Sequence, residues 1–274
     1  MTMRAVAQQR PLTCFFVLAF AIAWIAWTPL VLSRSGLGLL PIEGALWWIA
    51  PGSFAPSLAA LAVRWVTHRD FRIAHVAPSP RHLFAGLLVG IGLIVLGFLV
   101  LPGAWLGAGP LSALSWSALA AYPYAVVRAL LMAGPIGEEP GWRGFALPRL
   151  QARYTRLTAA LTLGSLWAAW HAPLFLVPQW SGSPAWVYLL LVVSLCFVIN
   201  LGFNVSRASV IVPIVLHAVF NASSAVLGRL LQGVELDLSV RPDLVLACSF
   251  AVIAAGIATA WHRGRRGNRP QRPD

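Results

Sequence analysis

The chain has 274 residues, 59% of them apolar and only 10% charged, with a mean hydropathy of +0.77. A soluble domain carries about 25% charged residues, and a disordered chain lacks this much Leu, Ile, Val, Phe and Trp, so both classes are excluded. The three cysteines, Cys14, Cys196 and Cys248, each lie in an apolar run and do not make a disulfide framework. The net charge of +12 comes from twenty basic and eight acidic residues, and every basic residue is Arg. No nucleic-acid-binding motif accompanies that charge, so a nucleic-acid partner is not expected; the lipid bilayer is.

About 20 apolar residues cross a membrane as a helix, and eight such runs follow one another: 12–32, 45–66, 83–102, 117–137, 157–177, 185–203, 208–227 and 243–262. The first is too long for the apolar core of a signal peptide and has no clear cleavage site after it, so it reads as an uncleaved span. No internal repeat and no second domain are visible. The fold class expected is an all-α polytopic helical bundle forming one membrane domain over 1–262. Residues 263–274 read as a disordered basic cytoplasmic tail.

Arginine placement orients the spans. One side collects Arg4, Arg10, Arg64, Arg69, Arg72, Arg81, Arg143, Arg149, Arg153, Arg156, Arg207, Arg263, Arg265, Arg266, Arg269 and Arg272, sixteen in all. The other side has Arg34, Arg229 and Arg241, while Arg128 lies within a span. Both termini are therefore expected in the cytoplasm, as an even number of spans requires. An all-Arg basic usage suggests a GC-rich genome, and so the plasma membrane of a prokaryote.

Ionisable groups at membrane depth cost about 2.5–3.5 kcal/mol on insertion scales and need a partner, a polar cavity or a task. Three segments carry them. In Gly137-Glu138-Glu139-Pro140-Gly141-Trp142-Arg143, a helix puts Glu139 and Arg143 four apart on one face, acid first, while Glu138 points about 100° away. Pro140 has no N–H and frees carbonyls one turn back. In Trp167-Ala168-Ala169-Trp170-His171-Ala172-Pro173, Trp167 sits one turn before His171 and can pack on its ring. In His217-Ala218-Val219-Phe220-Asn221, His217 and Asn221 share a face. Taken singly, these also fit a loop ion pair, a hydrogen bond to a neighbouring helix, and interhelical glue.

Together, Glu138-Glu139-xxx-Arg143, Trp167-xxx-His171 and His217-xxx-Asn221 resemble the CPBP family, the CAAX-protease and bacteriocin-processing membrane endopeptidases also called Abi. The resemblance covers about residues 120–225, in the same order and on the fourth, fifth and seventh spans. The one departure is Trp167, where the family more often has Phe; this is expected to alter packing and leave the chemistry in place. The resemblance implies an intramembrane peptidase in which Glu138 is the general base and Glu139 and Arg143 are a positioning pair. Peptide hydrolysis needs an activated water and donors for the oxyanion. His171 could share the water with Glu138, and His217 with Asn221 could supply the donors. Signatures of other intramembrane proteases, such as HExxH or Gly-x-Gly-Asp, do not occur.

The cofactor stays open between none and one Zn²⁺, for which Glu138, His171 and His217 would be the three protein ligands. The partner expected is a peptide or membrane-protein substrate, with lipidated CAAX-like chains and bacteriocin leaders both in range. Two other functions also stay open: a proton-coupled transporter, and a family member without catalysis acting as a binding or immunity scaffold.

Convergence of the motifs makes a further demand. His171 lies about 21 Å and His217 about 15 Å from the Arg-rich side at 1.5 Å per residue. Glu138 at the end of a 117–137 span would lie near 0 Å. The fourth span is therefore expected to shift to about 125–148, with Arg128 at the outer interface, Trp105, Trp116, Tyr122 and Tyr124 in an interfacial segment, and a cavity open to cytoplasmic water.

Overall fold

The computed structural model describes residues 2–71, 79–102, 116–132, 134–231 and 241–267. The readings for Arg72, Trp105 and the tail beyond 267 fall outside them, as do those for the side chains of Trp116, Arg229, Arg265 and Arg266. The fold is an all-helical bundle. In chain order it comprises α1 (Met3–Gln9), α2 (Pro11–Leu32), α3 (Leu46–His68), α4 (Pro80–Val100), α5 (Trp116–Met132), α6 (135–151), α7 (Arg156–Leu176), α8 (Ala185–Val205), α9 (Ile211–Leu231) and α10 (Pro242–Gly267). Among the described residues, six helices are long and apolar enough to cross a membrane: α2, α3, α4, α7, α8 and α10. Ala120–Met132 and Ile211–Val226 are shorter apolar stretches.

Helix α8 is the centre of the bundle. Of its span, 61% is buried, against 28–44% for the other five, and it packs on α4, α7, α9 and α10. This follows from a sequence that is apolar all round, with no charged residue between Ala185 and Val205.

The fourth segment departs from both sequence expectations. Neither 117–137 nor 125–148 is one helix: α5 ends at Met132, and a new helix starts at Pro135 after Gly134 at φ +94°. Gly134 takes a backbone conformation that side chains disfavour, and Pro135 at the first helical position needs no N–H partner. The Gly-Pro pair therefore ends one helix and starts the next.

Helix α6 is itself composite. Pro135–Glu139 and Leu147–Gln151 are α-helical, and Pro140–Ala146 between them is a wide π turn. Pro140 cannot donate to the turn before it, so the ladder changes register there. Gly137 and Gly141 press directly on the backbone of Ser53 and Pro56 in α3, leaving no room for a Cβ at either position.

Helix α2 buries Phe15, Ala19, Ala23, Trp27 and Leu30 along one face. The small residues on that face admit Trp170 of α7, whose indole N–H donates to the Ala19 carbonyl at 3.1 Å. Trp24 Nε1 donates back to the Trp170 carbonyl and Trp27 Nε1 to the Ile49 carbonyl, each at 2.9 Å. These bonds brace α2 against both α7 and α3 without adding a charge at depth.

Two smaller expectations are also corrected. Arg143 is not a loop residue but is fully buried, so the basic side carries fifteen arginines rather than sixteen. The last helix runs on to Gly267, past the expected start of the tail at 263.

Candidate active site

All three segments meet in one cavity of about 410 Å³, lined by Glu138, Trp167, His171, His217 and Asn221 together with Trp27, Tyr188 and others. Glu138 and Glu139 sit in the short helix after the Gly134 break, and both are buried, at 3% and 0% exposure. The helix turns the two carboxylates to different partners.

Glu139 faces the bundle interior. Both of its oxygens accept from Arg143 Nη1 at 2.9 Å, and Oε1 also lies 2.9 Å from His217 Nδ1. A carboxylate only accepts, so the His217 proton is on Nδ1 and Nε2 is left to the cavity. Arg143 is held on two more sides: its Nε donates to Asn200 Oδ1 at 3.1 Å, and its guanidinium lies 4.5 Å from the centre of the Trp167 ring. Its Nη2 has no partner among the described residues. The expected pairing of Glu139 with Arg143 is thus present, at full burial.

Glu138 faces the cavity. Trp167 Nε1 donates to its Oε2 at 2.7 Å, and its backbone N–H closes the new helix on the Gly134 carbonyl at 2.8 Å. Oε1 lies against the Cα of Gly134, where a side chain would collide with it. The departure at Trp167 therefore does more than alter packing: it places a hydrogen-bond donor on the carboxylate, which Phe could not do. The Trp167 ring also meets the His217 ring edge-on at 5.2 Å.

His171 caps the α-helical part of α7, where Pro173 turns the chain into a tighter 3₁₀ turn, Ala172–Leu176. Its Nδ1 lies 2.9 Å from the Trp167 carbonyl, which can only accept, so Nε2 is again the nitrogen left to the cavity. Aromatic rings surround it: Trp170 at 4.7 Å, Tyr188 at 5.4 Å, Trp180 at 5.6 Å and Trp27 at 6.3 Å between centroids. Asn221 lines this cavity and a neighbouring one of about 300 Å³ that also takes in Leu46, Arg128 and Met132.

Residues 119–223 match the family model described as type II CAAX prenyl endopeptidase Rce1-like. The match is a similarity to that family over 105 of the 274 residues, less than half of the chain. CAAX prenyl protease 2 of Methanococcus maripaludis is 29% identical over 109 residues, a stretch that covers 36% of this chain and 39% of the relative. The chain thus matches well under half the length of that curated relative. The Rce1-like region contains every site residue picked out in the sequence: Glu138, Glu139, Arg143, His171, His217 and Asn221.

Sequence reasoning missed Asn200, which anchors Arg143 from α8. An amide in the middle of the run Cys196-Phe197-Val198-Ile199-Asn200 was the available signal, because a polar group at that depth needs a partner. It also missed Trp27, Trp180 and Tyr188 around His171, for which no local pattern exists. The zinc reading finds no support in the geometry: among the described residues, no three His, Cys, Asp or Glu side chains are grouped to hold a metal ion. One oxygen of Glu138 is instead committed to the Trp167 N–H.

Proposed function

We propose that this multi-pass membrane protein is an intramembrane endopeptidase that hydrolyses a peptide bond of a membrane-associated substrate, with lipidated CAAX-like chains as one candidate class. The observation that carries the reading is the division of labour between adjacent carboxylates. Glu139 is fully committed to Arg143 and His217, whereas Glu138 keeps a cavity-facing position with a single side-chain donor on one oxygen.

In this reading Glu138 takes a proton from a water as it attacks the scissile carbonyl. The base must lie within hydrogen-bond reach of that water, and Oε1, which packs beside Gly134, is the oxygen not held by Trp167. Trp167 fixes the carboxylate so that the other oxygen is presented consistently. His171, with its Nδ1 proton tied to a backbone carbonyl, accepts from the same water at Nε2, and the proton that Glu138 takes from the water passes to the leaving amine. Asn221 supplies an amide N–H to the developing oxyanion, and His217 is set at the cavity wall by Glu139.

Arginine placement supports both termini in the cytoplasm, and the all-Arg composition supports a prokaryotic plasma membrane. Residues 1–262 would act as one peptidase domain.

The test compares cells carrying the wild-type chain with cells carrying Glu138→Gln, at matched abundance, by terminal-peptide proteomics. A new peptide terminus in membrane-associated proteins, present with wild type and absent with the variant, is expected. Identical termini in both would overturn the reading and favour a scaffold without catalysis.

A further inference from the structure

Where α7 begins and α10 ends, the bundle has an open crevice of about 430 Å³. It shares no lining residue with the catalytic cavity. Helices α7 and α10 both pack along α8 but touch each other only lightly, and the crevice lies between them. One wall is Arg156 and Leu157, the first two residues of α7; the other is Ala260, Trp261, His262 and Gly264 of α10. Trp261 is half-buried and stacks on Phe197 of α8, with ring centroids 5.7 Å and planes 21° apart. That stack fixes the indole as the inner end of the crevice.

The charges around the crevice have one sign. Arg156 and His262 line it from the two walls, both exposed, and Arg153 and Arg263 stand close to them in the chain. No acid lines it, and among the described residues no acid pairs with Arg153, Arg156 or Arg263. An uncommitted guanidinium matches a phosphate group, to which it donates two parallel hydrogen bonds. The level is also defined. The apolar span Arg156–Leu176 starts at the crevice and Pro242–Gly264 ends in it. Spans of 21 and 23 residues are about as long as a hydrocarbon core is thick, so these ends lie near the headgroups whichever face that is. Away from the charges the surface turns apolar and shallow. Gly256, Ala260 and Gly264 follow one another a helical turn apart on α10, and a Cβ on either glycine would meet nothing within 4 Å. On α7, Leu157 is followed one turn later by the exposed Leu161.

From this acid-free basic crevice at the ends of two apolar spans, we infer that α7 and α10 form a binding site for the phosphodiester headgroup of an anionic glycerophospholipid. Arg156 holds the phosphate from one wall and His262 from the other, and the Trp261 ring packs against the glycerol region. An acyl chain leaves the crevice over Ala260 and Gly256, where the bare helix surface gives it room. A zwitterionic lipid brings an ammonium group of its own toward the arginines, so the site selects for headgroups with net negative charge. The bound lipid ties the start of α7, the helix that carries Trp167 and His171, to α10, which contributes nothing to the catalytic cavity. The inference stands apart from the peptidase reading, since it uses none of the motif residues.

The experiment titrates the purified full-length chain, in a neutral detergent, with dioleoylphosphatidylglycerol and separately with dioleoylphosphatidylcholine, counting bound lipid by native mass spectrometry. Tighter binding of the phosphatidylglycerol is expected, with Arg156→Gln weakening it about fivefold. Arg207→Gln, which removes a charge from the α8–α9 connection, should bind like the parent chain. Gly264→Leu separates a built site from a general attraction to a basic surface. It keeps every charge and meets no neighbour in the fold, yet it fills the crevice, so it should weaken binding at least as much as Arg156→Gln. Unchanged binding in Gly264→Leu, an equal loss in Arg207→Gln, or equal retention of the two lipids would overturn the inference. In a last arm, excess inorganic phosphate competes against chloride at matched ionic strength. The lipid should stay bound in both, and complete displacement by phosphate alone would assign the crevice to a soluble phosphate compound instead.

Discussion

Trp167 Nε1 donates to Glu138 Oε2 at 2.7 Å, linking the second motif to the first across 29 residues of chain. The same indole lies over the Arg143 guanidinium and against the His217 ring. One side chain thus touches a group from each of the other two motif segments.

Replacing that donor is the most discriminating substitution. Trp167→Phe keeps an aromatic wall but removes the N–H from Glu138. A hydrogen bond to a charged group is worth about 1.5–3 kcal/mol, so kcat should fall about tenfold or more. KM should stay within about twofold, because substrate binding does not use this bond. Steady-state kinetics in detergent or nanodiscs checks the split; a loss confined to KM would assign Trp167 to binding instead.

Glu138→Ala and His171→Ala should abolish cleavage while leaving the protein inserted and abundant. Neither residue belongs to the Glu139–Arg143 pair, and removing a general base or its partner costs about 10²–10⁴-fold. Full activity in either variant, measured at equal membrane abundance, would refute its role.

Glu139→Ala should behave differently. It leaves the fully buried Arg143 without its carboxylate, a change that costs about 3–5 kcal/mol in comparable buried pairs. Yield and thermal stability should drop along with activity. A scan of detergent-solubilised protein should show a lower midpoint for Glu139→Ala than for Glu138→Ala.

Asn200→Leu should weaken the same network from the other side. It removes the acceptor of Arg143 Nε and leaves that N–H unpaired at about 1–3 kcal/mol. Thermal stability should fall less than in Glu139→Ala, and some activity should survive. An unchanged midpoint would indicate that Arg143 finds another acceptor.

Exhaustive chelation should leave activity intact, because Glu138, His171 and His217 do not group as three ligands. Activity lost on chelation and regained specifically with Zn²⁺ would contradict the Glu138-activated water.

Local spacing made part of this site readable. Glu139–Arg143 and His217–Asn221 are one helical turn apart, so periodicity alone places each pair on one face. The break before Glu138 was also written locally, in the Gly134-Pro135 pair, which punctuates a helix more strongly than the apolar run around it suggests. What joins the pairs was not readable. Trp170 reaches Ala19 across 151 positions, Arg143 reaches Asn200 across 57, and the ring of aromatics around His171 draws on α2, α7 and α8. Those contacts depend on which helices are neighbours, and hydropathy carries little information about that.

The π turn at Pro140–Ala146 sets a metric for the first motif. Deleting one residue there would let the segment relax to ordinary α-helical spacing, and would also rotate everything before it by about 100° relative to Leu147–Gln151. Glu138 would swing away from Trp167, and Gly137 would no longer face the Ser53 backbone that only a glycine can approach. Six of its seven residues are buried, so the stretch should tolerate neither a change of length nor a bulkier side chain at Gly141 or Gly144.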